Sequence, residues 1–108
     1  MTIAAPQPIL DYYAAKNRHD IDAMLAPFAE DAIVVDEKQT YEGRAAIRGW
    51  MEETTRKYRV TSEPEEITEE DGRHVVAAKV SGDFPGSPVR LSYRFVLKAD
   101  EITGLEIG

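Results

Sequence analysis

Residues 12–36 read YYAAKNRHDIDAMLAPFAEDAIVVD, and along this stretch a helical pattern gives way to an extended one. Its beginning belongs to a helix that we expect to start near Pro6. Asp20 is a good N-cap for a second helix, because its carboxylate can accept a hydrogen bond from the free amides of the first turn. Residues 32–37 are rich in β-branched side chains, which is typical of a strand. The stretch therefore predicts two helices and then a strand, whose apolar run stops at Asp36.

Outside this stretch, the sequence predicts one more helix and an extended second half. An apolar stripe at helical spacing follows Gly43 and predicts the third helix. The Asp71-Gly72 pair is typical of a hairpin turn, and residues 89–99 alternate between apolar and polar side chains as a half-buried strand does. We therefore predict a single α+β domain over residues 1–108, in which three N-terminal helices pack on a curved antiparallel sheet.

The helices carry details that the structure can test. One face of the first helix presents Ile9, Tyr12, Tyr13 and Lys16. We expect the second helix to run through Met24 to Phe28, with Pro27 shortening or distorting its last turn. Gly49 lies inside the third helix, where glycine costs about 1 kcal/mol relative to alanine, and we expect it to permit the close approach of another element.

The composition limits the classes of function. The chain has 108 residues and a net charge of -7, from 20 acidic and 13 basic side chains. A surface of that sign repels phosphate groups, so we expect neither nucleic acid nor a membrane surface as a partner. The absence of cysteine excludes disulfides, thiolate metal sites and a cysteine nucleophile. No signal-peptide pattern is visible and no apolar run approaches the roughly 20 residues of a membrane span, so we expect a cytoplasmic protein.

Three segments of the chain resemble the NTF2-like superfamily, in particular its SnoaL-like and ketosteroid-isomerase-like branch. They are residues 12–36 with their FAEDA approach to the first strand, residues 41–50 (YEGRAAIRGW) and residues 80–97 (VSGDFPGSPVRLSYRFVL). The resemblance implies an NTF2-like cone, in which a bent sheet wraps around the first helix and leaves a mostly apolar cavity open at one end. It also implies homodimers that pair through the outer face of the sheet. It specifies the fold far better than the activity, because this superfamily hosts many functions.

Asp36 and Tyr12 are the candidate catalytic residues. By strand alternation the Asp36 side chain shares a face with Ala32 and Val34, and a carboxylate on a cavity face can move protons. Isomerases of the superfamily carry a general-base aspartate at this position and a tyrosine on the first helix as oxyanion donor. The resemblance therefore implies these roles for Asp36 and Tyr12. Aspartate is also common where a turn opens, and a tyrosine can simply pack in a core, so both structural alternatives stay open.

The match to the isomerases fails at a third position. Those enzymes use a protonated aspartate on a late strand as a second oxyanion donor, and alignment of the final hairpin places Phe95 there. No acid lies on the inward face of residues 89–97, and we expect Asp83 to be a turn residue. A single donor stabilises an enolate less well than two, which argues against steroid isomerase activity. The missing acid also weakens a polyketide-cyclase or epoxide-hydrolase interpretation, because the resemblance implies that both draw polar catalytic groups from the late strands.

Other candidates surround the expected cavity. We expect its lining to include Tyr13, Met24, Phe28, Trp50, Phe84, Tyr93 and Phe95, although ordinary core packing would also explain most of them. His74 begins a strand after the hairpin turn, where it is either exposed or, with the opposite strand phase, a second acid/base group near the cavity mouth. No cluster of His, Asp and Glu has metal-ligand spacing, so we expect no metal and no cofactor.

Three hypotheses for the function follow. The first is a cofactor-independent isomerase, cyclase or lyase that acts on a small apolar carbonyl compound, with Asp36 as base and Tyr12 as oxyanion donor. The second is a dimeric module that binds a small apolar molecule without turning it over. The third is an interaction domain that uses only its sheet face. A cavity shared by Asp36 and the Tyr12 hydroxyl would exclude the third hypothesis, and a filled core with Asp36 in solvent would exclude the other two.

Overall fold

Three helices and six strands make up residues 5–108, the part of the chain that the computed structural model describes. In chain order they are α1 (Gln7–Asn17), α2 (Ile21–Leu25), β1 (Phe28–Asp36), β2 (Gln39–Glu42), α3 (Arg44–Tyr58), β3 (Thr61–Glu70), β4 (Arg73–Ser81), β5 (Val89–Lys98) and β6 (Glu101–Ile107). The strands form one sheet in the order β2-β1-β6-β5-β4-β3. The predicted α+β architecture is confirmed for the described residues.

The second helix is shorter than its apolar pattern predicts. Asp20 caps α2 as expected, since its Oδ1 accepts a hydrogen bond of 3.1 Å from an amide of the first turn. The helix ends at Leu25, and Phe28, which we expected on this helix, begins β1 instead. Pro27 explains the early end, because it has no amide hydrogen to continue the helix. Its carbonyl oxygen accepts a hydrogen bond of 2.8 Å from the amide of Ile102 and so leads the chain into the sheet.

The sheet is antiparallel except at one place. Among residues 5–108, four of the five strand pairs are antiparallel, and the pair of β1 with β6 is parallel. The hairpins turn on residue pairs in the left-handed region, with φ angles of 53° and 64° at Glu37 and Lys38 and of 51° and 76° at Asp71 and Gly72. Such turns match the twist of the flanking strands. The predicted Asp71-Gly72 hairpin is confirmed.

The core lies between α1 and the face of the sheet that α1 covers. The ring of Tyr12 is fully buried and meets the rings of Tyr13, Phe28 and Phe95 edge-on. The three centroid distances are 5.2, 5.7 and 5.7 Å. Edge-to-face pairs of this kind stabilise the fold by about 1 kcal/mol each beyond the burial of their area. The aromatic side chains of α1 therefore fix this helix on the sheet.

Asn17 and Ser62 join the end of α1 to β3. The Nδ2 of Asn17 donates to the carbonyl oxygen of Ser62 at 2.8 Å, and its Oδ1 accepts from the amide of Ser62 at 2.7 Å. An asparagine amide can satisfy a donor and an acceptor of one backbone residue in this way. These two bonds fix the last turn of α1, and with it the position of Lys16.

The connection between β4 and β5 lies against the end of α3. The amide of Asp83 donates to the carbonyl oxygen of Tyr58 at 2.7 Å. Gly82 permits this approach, since a Cβ at its position would lie 2.6 Å from the same carbonyl oxygen. The expectation for Gly49 was wrong: within residues 5–108, a Cβ at that position would have no neighbouring element within 4 Å. The close approach therefore occurs at Gly82, in the connection, and not inside α3.

Candidate functional site

A cavity of about 410 Å³ opens between α3, the end of α1 and the strands β4 and β5. Much of its wall is apolar and includes Val60, Val80, Phe84, Val89, Leu91 and Ile107, with the rings of Trp50 and Tyr93. Its polar lining includes Lys16, Asp36, Glu37, Thr54 and Tyr58. A void of this size with few polar groups is typical of a site for a small, largely apolar molecule.

Asp36 ends β1 at the edge of this cavity. Ala32 and Val34, which share its face of the strand, are both fully buried. Strand alternation therefore turns the Asp36 side chain towards the interior. The chain then reverses direction, because Glu37 and Lys38 both take left-handed backbone angles. Asp36 is thus both the last residue of a strand and a carboxylate in a cavity wall.

The indole of Trp50 orients the Asp36 carboxylate. Its Nε1–H donates to Oδ2 of Asp36 at 3.0 Å. The ring is positioned by α3, whose buried stripe consists of Ile47, Trp50 and Met51. Among residues 5–108 no side chain or amide bonds to Oδ1 of Asp36. The protein fixes one carboxylate oxygen with a charge-assisted hydrogen bond, and the other oxygen is free to act on a molecule in the cavity.

Lys16 is a site residue that sequence reasoning missed. Its side chain is only 8% exposed, its Nζ lies 5.7 Å from the centroid of the Tyr12 ring, and no hydrogen bond or ion pair joins it to any part of residues 5–108. Burial lowers the pKa of Lys16 from 10.5 to about 8, although the charge of Asp36 acts in the opposite direction. The signal in the sequence was a lysine on an otherwise apolar helical face, a place where an unpaired charge is unusual.

Tyr12 and Tyr13 are buried in the core and do not line this cavity. Neither hydroxyl has a hydrogen-bond partner within residues 5–108. Burial raises the pKa of Tyr12 well above its usual value, and Tyr93 and Asp36 raise it further. The Tyr12 hydroxyl therefore stays protonated and donates no hydrogen bond within residues 5–108. It lies near enough to Asp36 for the carboxylate charge to raise its pKa. Its role as an oxyanion donor stays a prediction.

The other expected lining residues divide into two groups. Trp50, Phe84 and Tyr93 line the cavity, whereas Tyr13, Met24, Phe28 and Phe95 lie in the buried core. The core group differs from the expectation because these side chains pack with α1 and fill the space that a deeper cavity would need. Tyr93 has its hydroxyl 3.1 Å from the Ser62 hydroxyl. Burial raises the pKa of Tyr93 to about 12, so this hydroxyl stays protonated.

His74 lies at the opposite end of β4 from Val80 and does not line the cavity. Its Nδ1 is 3.6 Å from a carboxylate oxygen of Glu69 on the neighbouring edge strand. The structure thus does not bring His74 and Asp36 to one site.

A larger groove of about 740 Å³ runs along the start of α1. Its polar side chains, Gln7, Asp11, Arg18 and Asp100, are all exposed. It has none of the buried polar groups that mark the smaller cavity, which we therefore take as the site.

Within residues 5–108, no three His, Asp or Glu side chains are grouped so that they could hold a metal ion. No helix there has the length and apolar character to cross a membrane.

A curved sheet covered by helices, with an apolar cavity that holds a few polar groups, defines an α+β cavity domain. The chain belongs to the SnoaL-like domain family, which residues 9–102 match. It is therefore an NTF2-like protein of the SnoaL-like branch, and the resemblance found in the sequence is confirmed.

Solved structures of similar proteins share this fold. A proposed polyketide cyclase from Sinorhizobium meliloti is 39% identical with a TM-score of 0.92, over 96% of this chain and 95% of that one. A second proposed polyketide cyclase, from Pseudomonas putida, is 22% identical with a TM-score of 0.83, over 99% and 92% of the two chains. A ketosteroid isomerase-like protein from Catenulispora acidiphila, in complex with trimethylamine, is 21% identical with a TM-score of 0.84, over 97% and 86%. No curated protein matches the chain.

Proposed function

We propose that the cavity binds a small, mostly apolar carbonyl compound and that Asp36 moves a proton at the carbon next to the carbonyl group. The observation that carries this proposal is the Asp36 carboxylate, which Trp50 holds at 3.0 Å in the wall of an apolar cavity of about 410 Å³. A carboxylate with one fixed and one free oxygen is suited to act as a general base. Membership of the SnoaL-like family, with proposed polyketide cyclases among the similar structures, supports this class of reaction.

Proton transfer of this kind supports an isomerase, a cyclase or a lyase and requires no cofactor. The substrate that fits is neutral, because Asp36 and Glu37 already place two carboxylates at the same cavity. Apolar walls exclude water and strengthen the electrostatic action of the few polar groups that remain. The shape and polarity of the wall support a compact ring or a short branched chain as substrate.

A second candidate is a binding protein without catalysis. Two observations favour it: the Tyr12 hydroxyl does not line the cavity, and Phe95 is a buried core residue where isomerases of the superfamily carry an acid. Neither side chain is part of the cavity wall, which favours binding without stabilisation of an oxyanion. In this reading the domain holds its ligand in the same cavity and Asp36 only orients it.

Exchange of carbon-bound protons separates the two candidates. Cyclohexanone is dissolved in heavy water with the protein, and NMR follows both its binding and the loss of the protons next to its carbonyl. We expect the wild type to accelerate exchange and Asp36→Asn to abolish the acceleration while binding persists. Asp83→Asn, which removes an exposed carboxylate beyond β4, is the matched control and retains exchange. Equal exchange with wild type and Asp36→Asn would remove Asp36 from the mechanism, and binding without exchange by the wild type would favour the binding protein.

We also propose that the domain forms a homodimer through the outer face of the sheet. Within residues 5–108, the exposed large apolar side chains are Ile33 on β1 and Val96 on β5, with exposures of 42% and 38%. Both lie opposite Gly104 of β6, which has no side chain to separate them. The three residues form one outer patch, and apolar patches in the middle of a sheet support pairing with another surface.

A further inference from the structure

We propose that Lys16 is a nucleophilic amine that forms an imine with the carbonyl group of a compound bound in the cavity. The proposal rests on the proposed function for the class of ligand, a neutral carbonyl compound. It adds a covalent step and a second reacting residue to the role given to Asp36.

The position of Lys16 carries this inference. The residue lies in the last turn of α1, which the two hydrogen bonds between Asn17 and Ser62 hold against β3. Its side chain is buried and lines the same cavity as Asp36. The other lysines, Lys38, Lys57, Lys79 and Lys98, are all exposed. Among the lysines of residues 5–108, Lys16 is thus the one whose amine a molecule in the cavity meets.

The surroundings of Lys16 raise the fraction of neutral amine above that of an exposed lysine. No side chain or carbonyl oxygen of residues 5–108 accepts a hydrogen bond from its Nζ, so the charge of Asp36 and the Tyr12 ring, whose centroid is 5.7 Å from Nζ, offset the cost of burying the ammonium only in part. Burial accordingly lowers the pKa of Lys16 to about 8. At neutral pH the unprotonated fraction is then on the order of a hundredfold larger than that of an exposed lysine. Desolvation in an apolar pocket is a known way to activate a lysine as a nucleophile.

The charges at the cavity select the ligand that the amine meets. A carboxylate ligand would pair with a protonated Lys16, but it would lie beside the carboxylates of Asp36 and Glu37 in the same void. Repulsion between like charges in one cavity disfavours that arrangement. A neutral aldehyde or ketone avoids this repulsion and reacts with the unprotonated amine.

The covalent step balances with the ligand, the amine and a proton from solvent. The lone pair of Lys16 Nζ adds to the carbonyl carbon, and a proton moves from nitrogen to oxygen. Loss of that oxygen as water leaves a neutral carbon–nitrogen double bond, and a proton from solvent adds to its nitrogen to give the iminium. The iminium accepts the electron pair of an adjacent C–H bond when Asp36 removes the proton, which gives an enamine. Return of the proton and addition of water regenerate the amine and the carbonyl compound. The iminium thus supplies the electron acceptor that neither Tyr12 nor Phe95 offers to the cavity.

Reductive trapping tests the proposal on the wild-type protein. Cyclohexanone and sodium cyanoborohydride are added near neutral pH, and the modified lysines are mapped by peptide mass spectrometry. We expect an N–H hydrogen of Lys16 to be replaced by a cyclohexyl group at least about tenfold faster than in the four exposed lysines, since its neutral fraction is larger. Lys16→Arg abolishes the specific modification, and Lys79→Arg, at an exposed position of β4, retains it. Circular dichroism confirms that both variants are folded.

The outcomes separate this proposal from the proposed function. Modification spread evenly over the exposed lysines, or absent from Lys16 of the folded wild type, overturns the imine. If Asp36-dependent exchange is nevertheless observed, the general-base role of Asp36 stands without it. Specific trapping at Lys16 in a protein that shows no exchange supports the imine and rejects the role of Asp36.

Discussion

Lys16 and Asp36 place opposite charges at one apolar cavity without forming a direct ion pair. The ammonium is therefore desolvated, and the nearby carboxylate compensates only in part, as the lowered pKa of Lys16 indicates. A lowered pKa means that the folded protein holds this proton less tightly than the unfolded chain does. Burial of Lys16 in its charged form consequently destabilises the fold.

Replacement of Lys16 by methionine is expected to stabilise the protein in a pH-dependent way. The unfolded chain binds the proton up to a pH near 10.5 and the folded protein only to about 8, so the penalty is complete below pH 8 and disappears as the pH rises to 10.5. The shift corresponds to about 3 kcal/mol. We expect Lys16→Met to raise the free energy of unfolding by up to this amount at neutral pH. The difference in stability between variant and wild type should disappear as the pH rises to 10.5.

Denaturant unfolding of wild type and variant at a series of pH values measures this difference. The buried tyrosines also titrate in alkali, but they are present in both proteins and their effect cancels in the comparison. Lys79→Met, at an exposed position, is the control and should change the stability by less than about 0.5 kcal/mol at every pH. A lower stability of Lys16→Met at neutral pH would show that the ammonium has a stabilising partner.

For single residues, the sequence predicted that the Asp36 side chain lies on the inner face of its strand, but it did not predict that Lys16 lines the cavity. Alternation along a strand is local, so the side of β1 on which Asp36 lies follows from Ala32 and Val34. The environment of Lys16 depends on Val80, Phe84 and the other side chains of distant elements, which no local pattern describes. The Tyr12 hydroxyl illustrates the same limit, because helical periodicity indicates burial but not whether a cavity reaches the buried group.

Among the elements, α3 and the connection between β4 and β5 together shape the cavity mouth. Tyr58 at the end of α3 lines the cavity, and its carbonyl oxygen accepts a hydrogen bond from the amide of Asp83. Phe84, in the same connection, lines the cavity and packs edge-on against the Tyr58 ring, with centroids 6.1 Å apart. The contact at Gly82 therefore sets how the connection lies over the cavity.

A pair of alanine substitutions tests this contact. Gly82→Ala places a methyl group 2.6 Å from the Tyr58 carbonyl oxygen, so the connection must shift, and we expect a loss of about 1–3 kcal/mol in unfolding free energy together with weaker cyclohexanone binding. Gly49→Ala is the matched control. A methyl group at position 49 meets open space, and we expect the free energy of unfolding to rise by about 1 kcal/mol, since alanine favours the helix. Calorimetry and NMR titration measure the two effects. Unchanged stability and binding in Gly82→Ala would show that this contact does not shape the cavity.

The elements were more predictable than their pairing. The N-cap at Asp20 and the turn at Asp71-Gly72 depend on neighbouring residues, and both are where the sequence places them. The end of α2 was misjudged because apolar spacing continued to Phe28 while Pro27 ended the helix. The parallel pairing of β1 with β6 joins strands far apart in the chain, and such pairing leaves no local signal.

For the whole molecule, the outer patch of Ile33, Gly104 and Val96 determines the expected assembly. We expect wild type to be a dimer and Val96→Glu to raise the dimer dissociation constant about a hundredfold or more, because a carboxylate from each copy would be buried without a partner. Size-exclusion chromatography with light scattering measures the mass at several concentrations. Lys98→Glu places the same group on the same face but at the end of β5, and should leave the dimer intact. A wild type that is monomeric at all concentrations would reject this interface.

The parallel pair of β1 with β6 also bears on how the chain folds during synthesis. On the ribosome, β1 and its hairpin partner β2 are synthesised long before β6. During that time, one edge of β1 has no hydrogen-bond partner from β6. An open edge of this kind can template addition of a strand from another nascent chain. Glu30 and Asp31 place two exposed carboxylates on that strand, and like charges on an edge strand disfavour pairing between two copies.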